Sequence, residues 1–242
     1  ELGMSPTLIR TNELRLNAQV DYEILPGLKA MAYYQYWNNV RFGETLNPVE
    51  SYLARDLIND YTQVDAQGGL TYQVPMGGIL DQDRTRSQSH NFRSQLTYTK
   101  QFGQYHELNV LAGFEAKDFN SSGSANRAYG YNPGNGTSAP VNYNEFYTRY
   151  SIGFPASIPF SESFSGNTNR YLSGFMNMGY SFRDRYLITG SARKDASNIF
   201  GVNTNQRGVP LWSAGAGWIL SEEKFWNVDA VDYLKLKASF GY

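Results

Sequence analysis

Residues 13 to 24 alternate without a break. Leu14, Leu16, Ala18, Val20, Tyr22 and Ile24 fall on one side, and Glu13, Arg15, Asn17, Gln19, Asp21 and Glu23 on the other. A side-chain period of two is that of a β-strand with one apolar and one polar face. The pattern returns at 233 to 242, where Leu234, Leu236, Ala238, Phe240 and Tyr242 oppose Tyr233, Lys235, Lys237, Ser239 and Gly241. Six further segments carry it less regularly: 28–44, 86–102, 105–120, 168–183, 185–198 and 208–220. In 105–120, Leu108, Val110, Ala112, Phe114 and Ala116 oppose Glu107, Asn109, Gly113, Glu115 and Lys117, with Leu111 out of place. In 168–183, Leu172, Met176, Met178, Tyr180 and Phe182 oppose Ser173, Asn177, Gly179 and Ser181. The reading is all-β, with eight antiparallel strands.

The connections alternate in length. Pro26-Gly27, Gly103-Gln104 and Arg183-Asp184 are tight turns, whereas 45–85 and 121–167 are long stretches rich in Gly, Asn, Ser, Pro and Tyr. Long structureless connections count against a compact sandwich, but short turns on one side and long loops on the other are the habit of an outer-membrane barrel. Strand length points the same way, because most segments approach the roughly nine to eleven residues that cross a bilayer at a tilt. Aromatics gather at the tight-turn ends, as Tyr98, Phe102, Tyr180, Phe182 and Tyr186, which suits an interfacial girdle. Ionised residues such as Arg15, Asp21, Glu115 and Lys235 stand in mid-strand, where a watery lumen accepts them. The expected fold is therefore an antiparallel transmembrane β-barrel wall, with Leu14, Leu16, Val20, Leu172, Met176, Leu234, Leu236 and Phe240 facing lipid. If the tight turns are periplasmic, both chain ends lie outside, which predicts an internal segment of a larger barrel. Strand 13–24 should then not pair with strand 233–242.

Composition narrows the chemistry. The 242 residues carry no Cys, two His and a net charge of −1, so a disulfide framework and a nucleic-acid footprint are excluded. No apolar run approaches the length of a membrane helix, although 41% of the residues are hydrophobic and 15% aromatic. Glu1-Leu2-Gly3-Met4-Ser5-Pro6 lacks the basic start and apolar core of a leader, so either a leader was removed or the chain is an internal piece. His90 and His106 have no Gly-x-Ser-x-Gly elbow to complete a triad and read as polar side chains at strand entries or exits. Asp81-Gln82-Asp83 reads as a solvated acidic turn rather than a calcium loop, since the glycine and distal glutamate of such a loop are missing. Glu222 and Glu223 read as a first helical turn capped by Ser221. Asn120-Ser-Ser and Asn135-Gly-Thr match the glycosylation pattern by composition alone, and Gly215 and Gly217 relieve crowding in a strand. No enzyme, metal or cofactor is expected.

Three runs near the end are more specific: Tyr186-Leu-Ile-Thr-Gly-Ser-Ala-Arg193-Lys-Asp195-Ala-Ser197-Asn-Ile-Phe200-Gly201, Ser213-Ala-Gly-Ala-Gly-Trp218-Ile-Leu-Ser221-Glu222-Glu223-Lys-Phe225, and Tyr233-Leu-Lys-Leu-Lys-Ala-Ser-Phe-Gly-Tyr242. In order and spacing they resemble SusC/RagA-like TonB-dependent transporters. Val20-Asp-Tyr-Glu-Ile-Leu-Pro-Gly-Leu-Lys29 is similar to an earlier hairpin of that family. Members commonly carry basic residues where this chain has Ile199 and Ile219, and Gly where Ala196 stands, so contacts made there do not carry over.

The resemblance implies a twenty-two-stranded barrel in the outer membrane of a Gram-negative bacterium, closed by a plug. Residues 1–242 would form one segment of its wall, without the plug or the region that engages the TonB complex. It also implies a SusD-like surface lipoprotein as partner, and import of a glycan or peptide. The partners expected here are thus that lipoprotein, TonB through the missing plug, the rest of the barrel and the lipid bilayer. A self-contained eight-stranded barrel for adhesion or anchoring is the alternative. The candidate contact residues are Tyr129, Tyr131, Tyr143, Phe146, Tyr147 and Tyr150, which bind substrate or partner or else pin their own loop. Arg15, Arg193, Lys235 and Lys237 are expected to line the lumen.

Overall fold

The computed structural model describes residues 5–198, 210–228 and 230–242. Ile199, Phe200, Gly201 and the start of the expected strand 208–220 lie outside the described residues. In chain order the elements are β1 (Thr7–Leu25), β2 (Leu28–Asn47), α1 (Tyr52–Asp60), β3 (Thr62–Val64), β4 (Leu70–Tyr72), β5 (Gly78–Phe102) and β6 (His106–Asn132). There follow β7 (Thr137–Ala139), β8 (Tyr147–Thr148), β9 (Pro155–Ala156), β10 (Ser163–Phe182), β11 (Tyr186–Ser197), β12 (Pro210–Ile219) and β13 (Lys235–Gly241). The main sheet has the order β1-β2-β5-β6-β10-β11-β12-β13, with β7 added to β6, while β3–β4 and β8–β9 are separate small hairpins. The long strands are thus an eight-stranded meander whose first and last members are not joined to each other.

All three tight turns form where expected. Gly27 has φ +86°, and a side chain there would also run into the Thr99 carbonyl, whose own amide donates to the Gly27 carbonyl at 2.8 Å. Arg183 and Asp184 both have positive φ, at 52° and 54°, as the two central residues of a type I′ hairpin turn require.

Two expectations are corrected. First, the stretches 45–85 and 121–167 are not structureless. β5 begins at Gly78, β6 runs on to Asn132 and β10 starts at Ser163, because polar cross-strand pairs hold strands together where no apolar face remains to mark them. Arg127 grips Asp81 through two bonds of 2.6 and 2.8 Å, Arg41 meets Asp83 at 2.6 Å, and Ser87 and Ser121 share a hydrogen bond of 2.9 Å. Asp81-Gln82-Asp83 is therefore strand rather than turn, and both carboxylates are paired with arginine. Second, Ser221 does not cap a helix. A 3-10 turn occupies Leu220–Glu222 with Ile219 at its N-cap, and the Ser221 hydroxyl has no hydrogen-bond partner. Leu234 precedes β13 and accepts from the Leu220 amide at 2.8 Å, so the final strand is shorter than its alternation suggests.

The chain divides into two compact units. Unit 1 comprises Asn38–Ser87, Ser121–Asn167 and the start of the chain through Leu14. Unit 2 comprises Arg15–Trp37, Gln88–Asn120 and Thr168–Tyr242. Among the described residues, every buried hydrophobic side chain belongs to unit 1. Its core joins Ala54, Leu57 and Ile58 of α1 to Tyr61, Val74, Ile79, Tyr129, Tyr147 and Ile158. Ser51 caps α1 by accepting from the Ala54 amide at 3.3 Å, and the spacing Ala54, Leu57, Ile58, Tyr61 places one helical face on the core. Unit 2 is built mainly of sheet and, among the described residues, has no comparable core.

Candidate functional site

The register of β10 to β13 sorts unit 2 into two faces. Leu172↔Ala196, Met176↔Ala192, Ile188↔Ala216, Trp218↔Leu236 and Ala214↔Phe240 fall on one. Ser173↔Asp195, Phe175↔Arg193, Ser191↔Ser213, Gly217↔Lys237 and Gly215↔Ser239 fall on the other. Adjacent residues of a strand point to opposite sides, so the sheet has an apolar and a polar surface.

The polar surface carries a ladder of charges. Glu115 on β6 meets Arg93 on β5 at 2.9 Å and Arg193 on β11 at 3.6 Å. Arg193 Nε holds both oxygens of Asp195 at 2.8 Å, its Nη2 donates to Ser173 at 2.9 Å, and Ser173 donates to Asp195. The ring of Phe175 is flanked by both guanidiniums, with Arg93 at 5.1 Å and Arg193 at 5.9 Å from its centroid. It has room because position 113 is glycine, where a Cβ would run into the ring. The polar bonding continues on β1, β2 and β5, where Tyr33 and Gln35 donate to Asn17 at 3.0 and 2.8 Å and Asn91 donates to Gln35 at 3.2 Å. A recess of about 650 Å³ opens against Tyr33, Asn91, Arg93, Glu115, Arg193 and Asp195. Leu111, the residue that broke the alternation, lines an adjoining recess with Phe175 and Leu211, so a small apolar spot lies within the charged surface.

Of the four basic residues expected on this surface, Arg193 is inside the ladder. Lys235 and Lys237 share its face by register, and Arg15 shares the strand parity of Asn17. Arg93, Ser173 and Phe175 were not singled out by sequence. Phe175 breaks the polar pattern of its face, and that break is the signal that marks it.

The opposite surface ends at the tight turns in an aromatic row. Phe182 stacks on Tyr186 and Tyr186 on Trp218, at centroid distances of 6.1 and 6.2 Å. Glu223, in the connection before β13, receives the Tyr186 hydroxyl at 2.5 Å and Trp218 Nε1 at 3.0 Å. Those bonds, the Tyr186 one foremost, hold its carboxyl below the usual range. His106 belongs to the same end, bonding the Tyr180 hydroxyl at 2.6 Å, and His90 bonds Tyr34 at 2.7 Å. Among the described residues no group of three His, Cys, Asp or Glu side chains could hold a metal ion.

The six aromatic candidates in unit 1 divide. Tyr129 is 1% exposed and donates to the Pro159 carbonyl at 2.7 Å, Tyr147 is buried in the same core, Tyr143 packs against that core and Tyr131 is half-buried. Phe146 and Tyr150 are 72% and 81% exposed. Tyr150 stands on the β8–β9 hairpin tip with Ile152 and Phe154, both exposed. Asp60, at the C-terminal end of α1, holds that tip. Its carboxylate takes Arg149 Nε at 2.5 Å and the Ser151 amide at 2.8 Å, and its backbone carbonyl takes the Tyr150 amide at 2.8 Å. Burial pushes the Asp60 carboxyl up, but the bonds from Ser151 and Arg149 outweigh it and leave it below its ordinary value.

This open sheet superposes on the RagAB peptide importer in its "closed-closed" state with a TM-score of 0.72, covering 98% of this chain and 23% of that one at 18% identity. The "open-open" state of that importer gives 0.69 over the same shares. In sequence, TonB-dependent receptor P39 of Formosa agariphila is 29% identical over 178 residues, and TonB-dependent receptor P26 of the same organism 28% over 166. In fold and sequence alike, the chain resembles a SusC/RagA-type TonB-dependent transporter. The matches take in 70% and 68% of the chain but only 15% and 16% of those two receptors, so the chain spans a small part of their length. No family model matches it. An open antiparallel sheet of long strands is what one segment of such a transporter's wall has, and the two-faced register fits a wall with unlike surroundings on its two sides.

Proposed function

We propose that this chain forms wall and extracellular loops of an outer-membrane importer that carries a large nutrient, a glycan or a peptide, with energy supplied through TonB. The observation that carries the reading is the two-faced sheet: charges linked from β5 to β11 on one side, and on the other a predominantly apolar face interrupted by Lys194 near its end. We assign the charged side to the lumen, with Arg15, Arg193, Lys235 and Lys237 setting its electrostatics, and the apolar side to lipid. Unit 1 is then the extracellular region over which a SusD-like lipoprotein docks. Phe146 and Tyr150 are its contact residues, since their rings are free, whereas Tyr129, Tyr131, Tyr143 and Tyr147 shape the surface from within. A self-closed small barrel for adhesion is disfavoured by the strand order, which does not join β1 to β13.

Replacing Phe146 and Tyr150 with Ala in the intact parent transporter should lower uptake or lipoprotein capture while barrel assembly stays unchanged. If uptake and capture both persist, these rings are not the contact surface.

A further inference from the structure

The apolar surface of unit 2 has an upper edge, away from the tight turns. Leu172, Ala116 and Phe92 are followed two residues on or back by Arg170, Asp118 and His90. At this edge lies a recess of about 620 Å³. Its floor is apolar, formed by Phe92, Ala116, Leu172 and Ala196, and Arg170 stands on its rim.

Among the described residues the Arg170 guanidinium is only partly engaged. Its Nε bonds Asp118 Oδ2 at 3.0 Å, the other Asp118 oxygen accepts from Asn120 at 2.5 Å, and the Arg170 side chain remains 69% exposed. Lys194 shares this face, opposite Gly174, beside which an added Cβ would meet nothing within 4 Å. A lysine stem can therefore lie along the surface and carry its ammonium toward the polar edge. His90 bonds the Tyr34 hydroxyl, Arg170 is the arginine of the recess, and Lys194 stands on the same face two residues before Ala196.

We propose that the recess binds a phosphate-bearing lipid of the outer leaflet, with an acyl chain on the floor and the anionic headgroup on Arg170. The inference rests on the assignment of this face to lipid. Two features select the occupant. An apolar floor at the end of a membrane-facing band suits an acyl chain, and an arginine 69% exposed, whose Nη groups have no partner among the described residues, suits phosphate oxygens, which it can bind in a fork. Free phosphate would use the rim and leave the floor empty.

The test uses the full-length parent transporter in phosphatidylcholine nanodiscs doped with lipid A, with retained lipid counted by native mass spectrometry. Arg170→Ala should lower lipid A retention roughly ten-fold, the loss of about one charge-assisted contact. Arg170→Lys should keep a good part of it. Asp118→Asn should hold or raise it by freeing the guanidinium, a result that a merely structural Arg170–Asp118 pair would not give. Unchanged retention in Arg170→Ala/Lys194→Ala would overturn the proposal, as would complete displacement by inorganic phosphate alone. The underlying assignment is read separately: a fluorophore on Leu172→Cys, in a cysteine-free parent, should be quenched by spin-labelled lipid. Absence of quenching would sink the assignment itself and the proposal with it, whereas quenching with unchanged lipid A retention would sink only the proposal.

Discussion

Unit 1 and unit 2 solve the burial problem in opposite ways. Unit 1, made largely from what reads as loop, has a water-excluding core of side chains drawn from a helix, the β8–β9 hairpin, the segments that flank the small hairpins and the ends of long strands. Unit 2, made from the most regular strands, leaves Val20, Leu172, Met176, Leu236 and Phe240 uncovered. In water the second arrangement would aggregate, and in a bilayer it is the finished state, because lipid does for that face what a second layer does in a soluble domain. On the assignment proposed above, regular alternation marks where the surroundings are lipid and lumen, and irregular, turn-rich sequence marks where the chain makes its own interior.

Tyr129 is where the two units should part most sharply. Truncation to Ala removes a fully buried ring and its bond to Pro159, at a cost to unit 1 of roughly 3 to 5 kcal/mol. Proteolysis should then nick the segments 48–76 and 133–162 while the heat-modifiable gel shift of the assembled barrel persists. Loss of both together would show that the two units do not fold independently.

The next effect concerns depth in the membrane. Met176 lies midway between Leu172 and the aromatic row, so Met176→Lys should cost roughly 2 to 4 kcal/mol of barrel stability in lipid. Leu236 pairs with Trp218 inside that row, and Lys there should cost only about 0 to 1 kcal/mol. Equal costs at the two positions, measured by denaturant titration in vesicles, would place the hydrocarbon band elsewhere.

A smaller effect follows acidity. The Asp60 carboxyl sits below its ordinary value in the folded chain, so it stabilises the hairpin tip at any pH above the unfolded value and loses that contribution as pH falls through the folded one. Hydrogen-exchange protection of the Tyr150 and Ser151 amides should drop in that acidic window. Asp60→Asn should remove the pH dependence, and a profile unchanged by the substitution would exclude the clasp as its cause.

Much of the wall is written locally. The alternation of 13–24 and the turns at Gly27, Gly103 and Arg183-Asp184 needed only nearest neighbours, so both were legible. Strand ends such as Gly78 and Asn132 were not, because polar residues on both faces leave no periodicity and pairing is decided by distant partners such as Asp81 with Arg127. The unit 1 core was hidden for the same reason, since Ile79, Tyr129 and Ile158 meet only in the fold. Helix α1 did leave a signal in Ser51, Ala54, Leu57 and Ile58, overlooked among turn-forming neighbours. On the polar surface the charges were visible in sequence, but their order across β5, β6 and β11 depends on which strands are adjacent.

The meander has a consequence for how the wall is assembled in time. Three tight turns make β1–β2, β5–β6 and β10–β11 into hairpins whose partners are neighbours in sequence, and such pairs close within about 1 to 10 μs. Joining β2 to β5 and β6 to β10 requires closing far longer excursions, although each doubling of length adds only about 0.6 kcal/mol. The slow steps are then the two joints with the longest excursions, β2 to β5 and β6 to β10, while register is settled early inside each hairpin, where a slip of one residue would exchange the two faces entirely.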